Sequence, residues 1–296
     1  MRVRGRLLAR RTSTSGLGRA VVVTVSQRYD DARPSRPAGC TGDDDLVQLS
    51  GAVAVVTGAS HGIGNVTARR LAARGATVVA AGLNEPELAE LSRTIGGSFV
   101  CTDVRDPTHA DDLVKHALDR HGRVDLVLAN AGIGHAGPVA AMTPDRICDL
   151  VDINTRAPIL LARAALSTML QRRSGALVFI SSIAGQVPVP NESVYSATKA
   201  AVEAFADALR EEVRGSGVTV STVAPGVVAT RFFTDRGAPY ERRFPRPIAP
   251  ERIAATVVRA AERGVPHATV PAWLGIAPRV RGVAPRTFRA LARIFG

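Results

Sequence analysis

Val53-Ala54-Val55-Val56-Thr57-Gly58-Ala59-Ser60-His61-Gly62-Ile63-Gly64 is an apolar, β-branched run that breaks into a glycine-rich turn, and beyond it apolar residues recur at three and four through Arg74. Strand, glycine turn and amphipathic helix in immediate succession predict a βα unit that binds a dinucleotide. Gly58 permits the tight turn, Gly62 lets the backbone approach a pyrophosphate, and Gly64 lets the helix pack against the strand. The helix N-terminus offers free N–H groups to the anion. A glycine cluster alone is an ordinary turn; its two flanks make this one a candidate site with Thr57, Ser60, His61 and Ile63 as its remaining members.

The same alternation continues outward. Strand-like runs at 53–57, 77–81, 98–101, 126–129, 176–181, 218–223 and 268–270 are separated by helical patterns that include 64–74, 85–94, 108–121, 144–172 and 193–214. Runs apolar on both faces, alternating with helices, imply an α/β domain. Its expected form is a doubly wound parallel sheet, the Rossmann fold, with about seven strands over residues 49–272. Ligands of such sheets sit beyond the carboxyl ends of the strands. The residues directly after each strand are therefore the ones to read for chemistry.

Tyr195-Ser196-Ala197-Thr198-Lys199 opens a helix, so Tyr195 and Lys199 lie one turn apart on one face. A phenol titrates near about pH 10, and a neighbouring ammonium is expected to lower that value, making Tyr195 a candidate general acid/base. Ser181-Ser182 ends the fifth run, where a hydroxyl can hydrogen-bond a substrate carbonyl or simply cap the strand. Asn154 falls inside the 144–172 pattern, either buried with partners or exposed on the helix. Asp103 follows the third run, and Asn130-Ala131-Gly132 follows the fourth.

These motifs, in this order and spacing, resemble the short-chain dehydrogenase/reductase family in its branch of about 250 residues, over residues 51–271. The family's Thr-Gly-x-x-x-Gly-x-Gly matches Thr57 to Gly64, its acidic-plus-apolar pair at the adenine matches Asp103-Val104, and its Asn-Ala-Gly matches Asn130 to Gly132, with Ala129 in place of a preceding Asn. Its serine selects Ser182, its asparagine Asn154, and its Pro-Gly with a following threonine matches Pro225-Gly226 and Thr230, with Val228 between them. The resemblance implies hydride transfer between a nicotinamide and a carbonyl or alcohol carbon. Tyr195 would supply the proton and Ser182 would hold the same oxygen. Lys199 would bind ribose hydroxyls, and Asn154 would order a water. A cofactor-binding regulatory protein on the same fold, with little turnover, is the alternative.

Selectivity for NAD usually needs an acid at the end of the second strand. Gly82 occupies that position, and His61 stands where the family's NADP enzymes often carry a basic residue, so NADP is the expected cofactor and NAD the second choice. The loop at 230–249 is the expected substrate lid, with Phe232, Phe233, Tyr240 and Phe244 among Arg231, Arg236, Arg242, Arg243 and Arg246. It suits an apolar alcohol or ketone, its arginines either meeting an acidic group or facing water.

The net charge of +12 is segregated. Residues 1–48 carry nine basic and five acidic groups, 49–230 sixteen and seventeen, and 231–296 thirteen and four. Basicity therefore belongs to the ends and gives no reason to expect a nucleic-acid partner, for which no motif is present. Residues 1–48 read as a disordered basic extension with only faint targeting character, leaving the cytoplasm as the expected location. Residues 273–296 form a basic tail whose 286–295 stretch would align Phe288, Leu291, Ala292 and Phe295 at helical spacing, to dock on the body or another subunit; a membrane surface is the less favoured partner. A homo-oligomer is expected. Cys40, Cys101 and Cys148 are widely spaced without a CxxC, so neither a disulfide framework nor a metal site is expected.

Overall fold

The structure is a computed structural model and describes residues 47–241, 244–286 and 288. The expectations for the basic extension, for Cys40, for Arg242 and Arg243 and for most of the 286–295 stretch lie outside the described residues. Within them, seven strands form one parallel sheet: β1 (Val53–Thr57), β2 (Thr77–Gly82), β3 (Ser98–Cys101), β4 (Leu126–Ala129), β5 (Gly175–Ile180), β6 (Val218–Pro225) and β7 (His267–Val270). Their order is β3-β2-β1-β4-β5-β6-β7. The chain runs outward from β1 on one side and then returns to β4 on the other, which places the topological switch point at the carboxyl ends of β1 and β4.

The strands are apolar on both faces because helices cover both. Ala54 and Val56 of β1 pack with Ala68 and Leu71 of α1 (Gly62–Ala72), Leu88 and Leu91 of α2 (Glu85–Ile95), and Ile253 and Val257 of a later helix over Pro250–Arg263. Val53 and Val55 point the other way, toward Leu113 of α3 (His109–His121) and, further along the chain, Leu161 and Leu209. Burying such side chains contributes about 1.5–3 kcal/mol each. The period of two in the strand thus becomes two separate cores.

The helical pattern at 144–172 is corrected by the structure. It divides into α4 (Pro144–Val151), a widened π turn over Asp152–Arg156, and α5 (Ala157–Arg172). Pro158 explains the break: it has no N–H to give to the carbonyl four residues back, and its ring crowds that turn. The remaining helices are α6 (Ile183–Gln186), α7 (Ser193–Glu212), α8 (Phe232–Asp235), α9 (Pro250–Arg263) and α10 (Ile276–Val283). Sequence periodicity did not isolate α10, which precedes the stretch where a tail helix was expected. Among the described residues no helix is long and apolar enough to cross a membrane.

One buried charge ties the sheet together at the opposite end from the switch point. Asp125, at the foot of β4, is 2% exposed, and its carboxylate accepts from the Val53 N–H at 2.9 Å, from Arg123 at 2.6 and 2.8 Å, and from Arg172 of α5 at 3.2 Å.

Candidate active site

Beyond the strand ends lies a cleft of about 1100 Å³. Gly58, Ser60, His61, Gly62 and Ile63 form one wall of it. Gly58 and Gly62 have φ of +64° and +59°, which only glycine adopts without strain. A Cβ on Gly64 would stand 2.2 Å from the Gly58 carbonyl oxygen, so the helix comes this close to the strand only without a side chain. Thr57 and Gly64, both expected at the cofactor, are placed behind this wall and do not line the cleft. Thr57 Oγ1 accepts from the Asn130 and Ala131 N–H groups at 3.1 Å each, and Asn130 Nδ2 donates to the Thr57 and Gly58 carbonyls at 2.9 and 3.2 Å. They shape the loop from within. His61 is the N-cap of α1, makes no side-chain capping bond and is exposed in the cleft.

The four candidate catalytic residues converge. Asn154 sits on the π turn, 1% exposed; its Oδ1 accepts from Ile133 N–H and its Nδ2 donates to Ile133 O, both at 2.9 Å, and to Thr198 Oγ1 at 3.2 Å. Ser182 follows β5, and its Oγ accepts from the Ala184 N–H at 3.1 Å while facing the cleft. Ser181 instead donates to the Lys199 carbonyl at 3.3 Å. Lys199 on α7 is 4% exposed, donates to the Ile180 carbonyl at 3.0 Å, and holds its ammonium 5.9 Å from the Tyr195 ring centre. Tyr195 is 7% exposed, its ring tilted against Phe232 at 5.6 Å.

The expected lowering of the phenol is not what the fold produces. Burial pushes Tyr195 up to about 12; the Ser182 hydroxyl opposes that rise, Glu192 adds to it, and Arg236 opposes it. Burial likewise brings the Lys199 ammonium down to about 8. Desolvation acts on both groups and outweighs what a single cation one turn away provides. Between about pH 8 and 10.5 the unfolded chain keeps the Lys199 proton that the folded chain has lost, so folding stability rises with pH across that window. From about 10 to 12 the Tyr195 contribution has the opposite sign, because the folded phenol keeps a proton the unfolded one releases. Urea unfolding of the ligand-free protein from pH 7.5 to 10, compared with Lys199→Met, should therefore show wild type gaining about 2 kcal/mol on the variant. Parallel curves would contradict the burial of this charge.

At the other end, Asp103 and Val104 line the cleft, but Arg105, which the sequence did not single out, governs that corner. Its guanidinium grips Asp103 at 2.6 Å and Asp149 of α4 at 2.8 Å, holding the Asp103 carboxyl below its usual range. A Cβ on Gly82 would lie 2.6 Å from Ser60 Oγ, so the position where an acid would meet a ribose 2′-hydroxyl has no room even for alanine unless Ser60 turns. Leu83 and Asn84 line the wall beside it.

Asn130, Ala131, Gly132, Pro225, Gly226, Val228 and Thr230 all border the cleft. The lid folds over it through α8, its ends closed by a bridge between Val228 and Ile248. Phe233 continues the aromatic row from Phe232 to Tyr240, at 5.5 and 5.4 Å. Phe244, 69% exposed, stacks instead on Trp273 at 5.3 Å. Two lid arginines are paired and so do not simply face water: Arg231 with Glu87 of α2 at 3.0 Å, and Arg236, with only 10% of its side chain exposed, with Glu192.

The donor set fits a nicotinamide dinucleotide. Lys199 spends one N–H on the Ile180 carbonyl and keeps two for hydroxyl groups, and a Cβ on Gly132 would come within 3.3 Å of its ammonium, so the wall there is bare backbone. Among the described residues no cluster of His, Cys, Asp and Glu is suited to a metal ion.

Known proteins share this chain's sequence pattern and fold. The short chain dehydrogenase family profile matches residues 52–241. An uncharacterized oxidoreductase of Staphylococcus aureus is 35% identical over 218 residues, covering 73% of this chain and 93% of its own. A metagenomic short-chain oxidoreductase solved in complex with NADP is 35% identical, with a TM-score of 0.63, covering 73% of this chain and 93% of its own. A short chain dehydrogenase/reductase from Burkholderia phymatum, solved in complex with NAD, shares the fold at 24% identity and a TM-score of 0.73, covering 80% of this chain and 95% of its own.

Proposed function

The chain belongs to the short chain dehydrogenase family, and from that premise we propose that it is a nicotinamide-dependent reductase or alcohol dehydrogenase acting on a carbonyl or secondary alcohol, with NADP preferred to NAD. The observation that carries this reading is the convergence of the Tyr195 phenol, the Ser182 hydroxyl and the buried Lys199 ammonium on a cleft whose far wall is a glycine-built anion cradle. Bound nicotinamide supplies or accepts the hydride.

Everything else falls to this chain. The backbone from Gly58 to Ile63, with Ser60 and His61, would hold the diphosphate; Asp103 and Val104 would flank the adenine; Asn130 to Gly132 would border the sugars. Pro225, Gly226, Val228 and Thr230 would face the nicotinamide, and Lys199 would hold its ribose. In reduction, Ser182 donates a hydrogen bond to the substrate carbonyl oxygen, and the Tyr195 hydroxyl gives that oxygen its proton as the alkoxide develops. A phenol at about 12 is fully protonated at neutral pH, which suits it to donate. Asn154 positions the strand exit through Ile133 and keeps one Oδ1 lone pair for a water. The NADP preference is supported by the lack of an acid at Gly82 and by His61, exposed in the same cleft. Phe232, Phe233, Tyr240 and Val189 give the substrate end an apolar side.

The deciding experiment is a screen of NADPH and NADH oxidation against aldehydes and ketones. Activity with a subset of ketones and a lower KM for NADPH are expected; no oxidation of either nicotinamide by any carbonyl would overturn the reading.

A further inference from the structure

Resting on the oxidoreductase reading of this cleft, we propose that Arg146 is an anion-recognition site at its substrate end, and that the physiological substrate is a carbonyl compound bearing a carboxylate.

Four arginines line the cleft among the described residues, and three are neutralised: Arg105 by Asp103 and Asp149, Arg231 by Glu87, Arg236 by Glu192. Among the described residues no carboxylate lies within 4.0 Å of Arg146. It is half-buried, and of its five N–H donors the one bond formed by the guanidinium is from Nη2 to the Gly134 carbonyl, at 2.6 Å. Asp235 and Glu241, the remaining acids of the cleft lining among the described residues, are exposed and form no ion pair with it. Local structure gives the cation no reason to be there. Arg146 lies in the first turn of α4, capped by Thr143, where the helix dipole disfavours positive charge.

Its placement relative to the proton donor follows from Gly134. A Cβ on Gly134 would stand 2.7 Å from Phe232 Cζ and 2.9 Å from Arg236 Cβ, and Phe232 in turn contacts the Tyr195 ring. Gly134 also directly follows Ile133, which Asn154 grips through both backbone groups. Arg146 is thus joined to the reacting centre through Gly134 and the Phe232 ring. A substrate with its carbonyl at Tyr195, an apolar body against Phe232 and a carboxylate at Arg146 uses each of these features. A guanidinium with four free donors is built for a two-point contact with a carboxylate. The lid arginines, which attract attention by number, are already occupied.

The test uses linear oxo-carboxylates of graded length, each with its methyl ester, assayed on wild type, Arg146→Gln and Arg146→Lys. The readout is the ratio of kcat/KM for acid over ester, in which any loss of folded enzyme cancels. Wild type should favour the acid by about 10- to 100-fold at its best chain length, Arg146→Gln should bring that ratio to about one, and Arg146→Lys should fall between. A ratio unchanged by Arg146→Gln would overturn the proposal. Calorimetric titration of the same oxo-carboxylates into the NADP-saturated protein separates this from the premise. Should wild type reduce neither member of any pair, the wider screen of aldehydes and ketones decides the oxidoreductase reading, and binding decides the anion site. In that case acid binding abolished by Arg146→Gln would still support the anion site, and absence of acid binding to wild type would overturn it.

Discussion

Replacement of Tyr195 by phenylalanine is expected to lower kcat by about a thousandfold, within the range that general acid catalysis supplies, while cofactor affinity changes by no more than about threefold. The substitution removes one oxygen and keeps the ring, which is what packs against Phe232. The loss should therefore appear in turnover and leave the fold intact. Without the hydroxyl, the developing alkoxide keeps the Ser182 hydrogen bond but loses the group that gives it a proton, since Lys199 is engaged by the Ile180 carbonyl and, in the proposed mechanism, by the ribose. Stopped-flow oxidation of NADPH under single-turnover conditions, with cofactor titration by fluorescence, reads the two effects separately. Activity surviving the substitution would refute the assignment of the proton to Tyr195.

Asp125→Ala should cost about 3 kcal/mol of folding stability, measured by urea denaturation, with no change in the cofactor dissociation constant of the protein that remains folded. The variant strands the Val53 N–H at the start of a central strand, where no water reaches it, and deprives Arg123 and Arg172 of their shared partner. Arg123 and Arg172 keep 43% and 33% of their side-chain exposure and can turn to solvent, so the buried amide carries most of the loss. A change below about 0.5 kcal/mol would show that the carboxylate merely decorates the sheet edge.

Much of this architecture was legible in the sequence because apolar period and glycine placement are local. The seven runs read as strands reappear with edges shifted by at most two residues, and the glycine loop turns where Gly58 and Gly62 demand it. What escaped was set by tertiary packing. The break at Asp152–Arg156 had a signal in Pro158, which periodicity averaged away. Thr57 belongs to the family motif, yet its hydroxyl faces two backbone amides behind the wall, a role that only the pairing of β1 with β4 reveals. Arg105 and Arg146 look like ordinary surface arginines until the loops fold. The direction of the Tyr195 shift also depends on burial, which one turn of helix cannot report.

The strand order has a consequence for synthesis. β1 pairs with β2 soon after it is made, Val53 beside Thr77, but its other neighbour, Leu126 beside Ala54, arrives much later in the chain. At translation speeds of about 5–20 residues per second, one side of the central strand waits for several seconds with its edge uncovered. The last helix to cover that face, α9, comes after Asn154, Ser182, Tyr195 and Lys199 have all been made. The nascent chain therefore owns every residue proposed for the chemistry before it owns the layer that packs behind the first strand, with an uncovered strand edge in that interval.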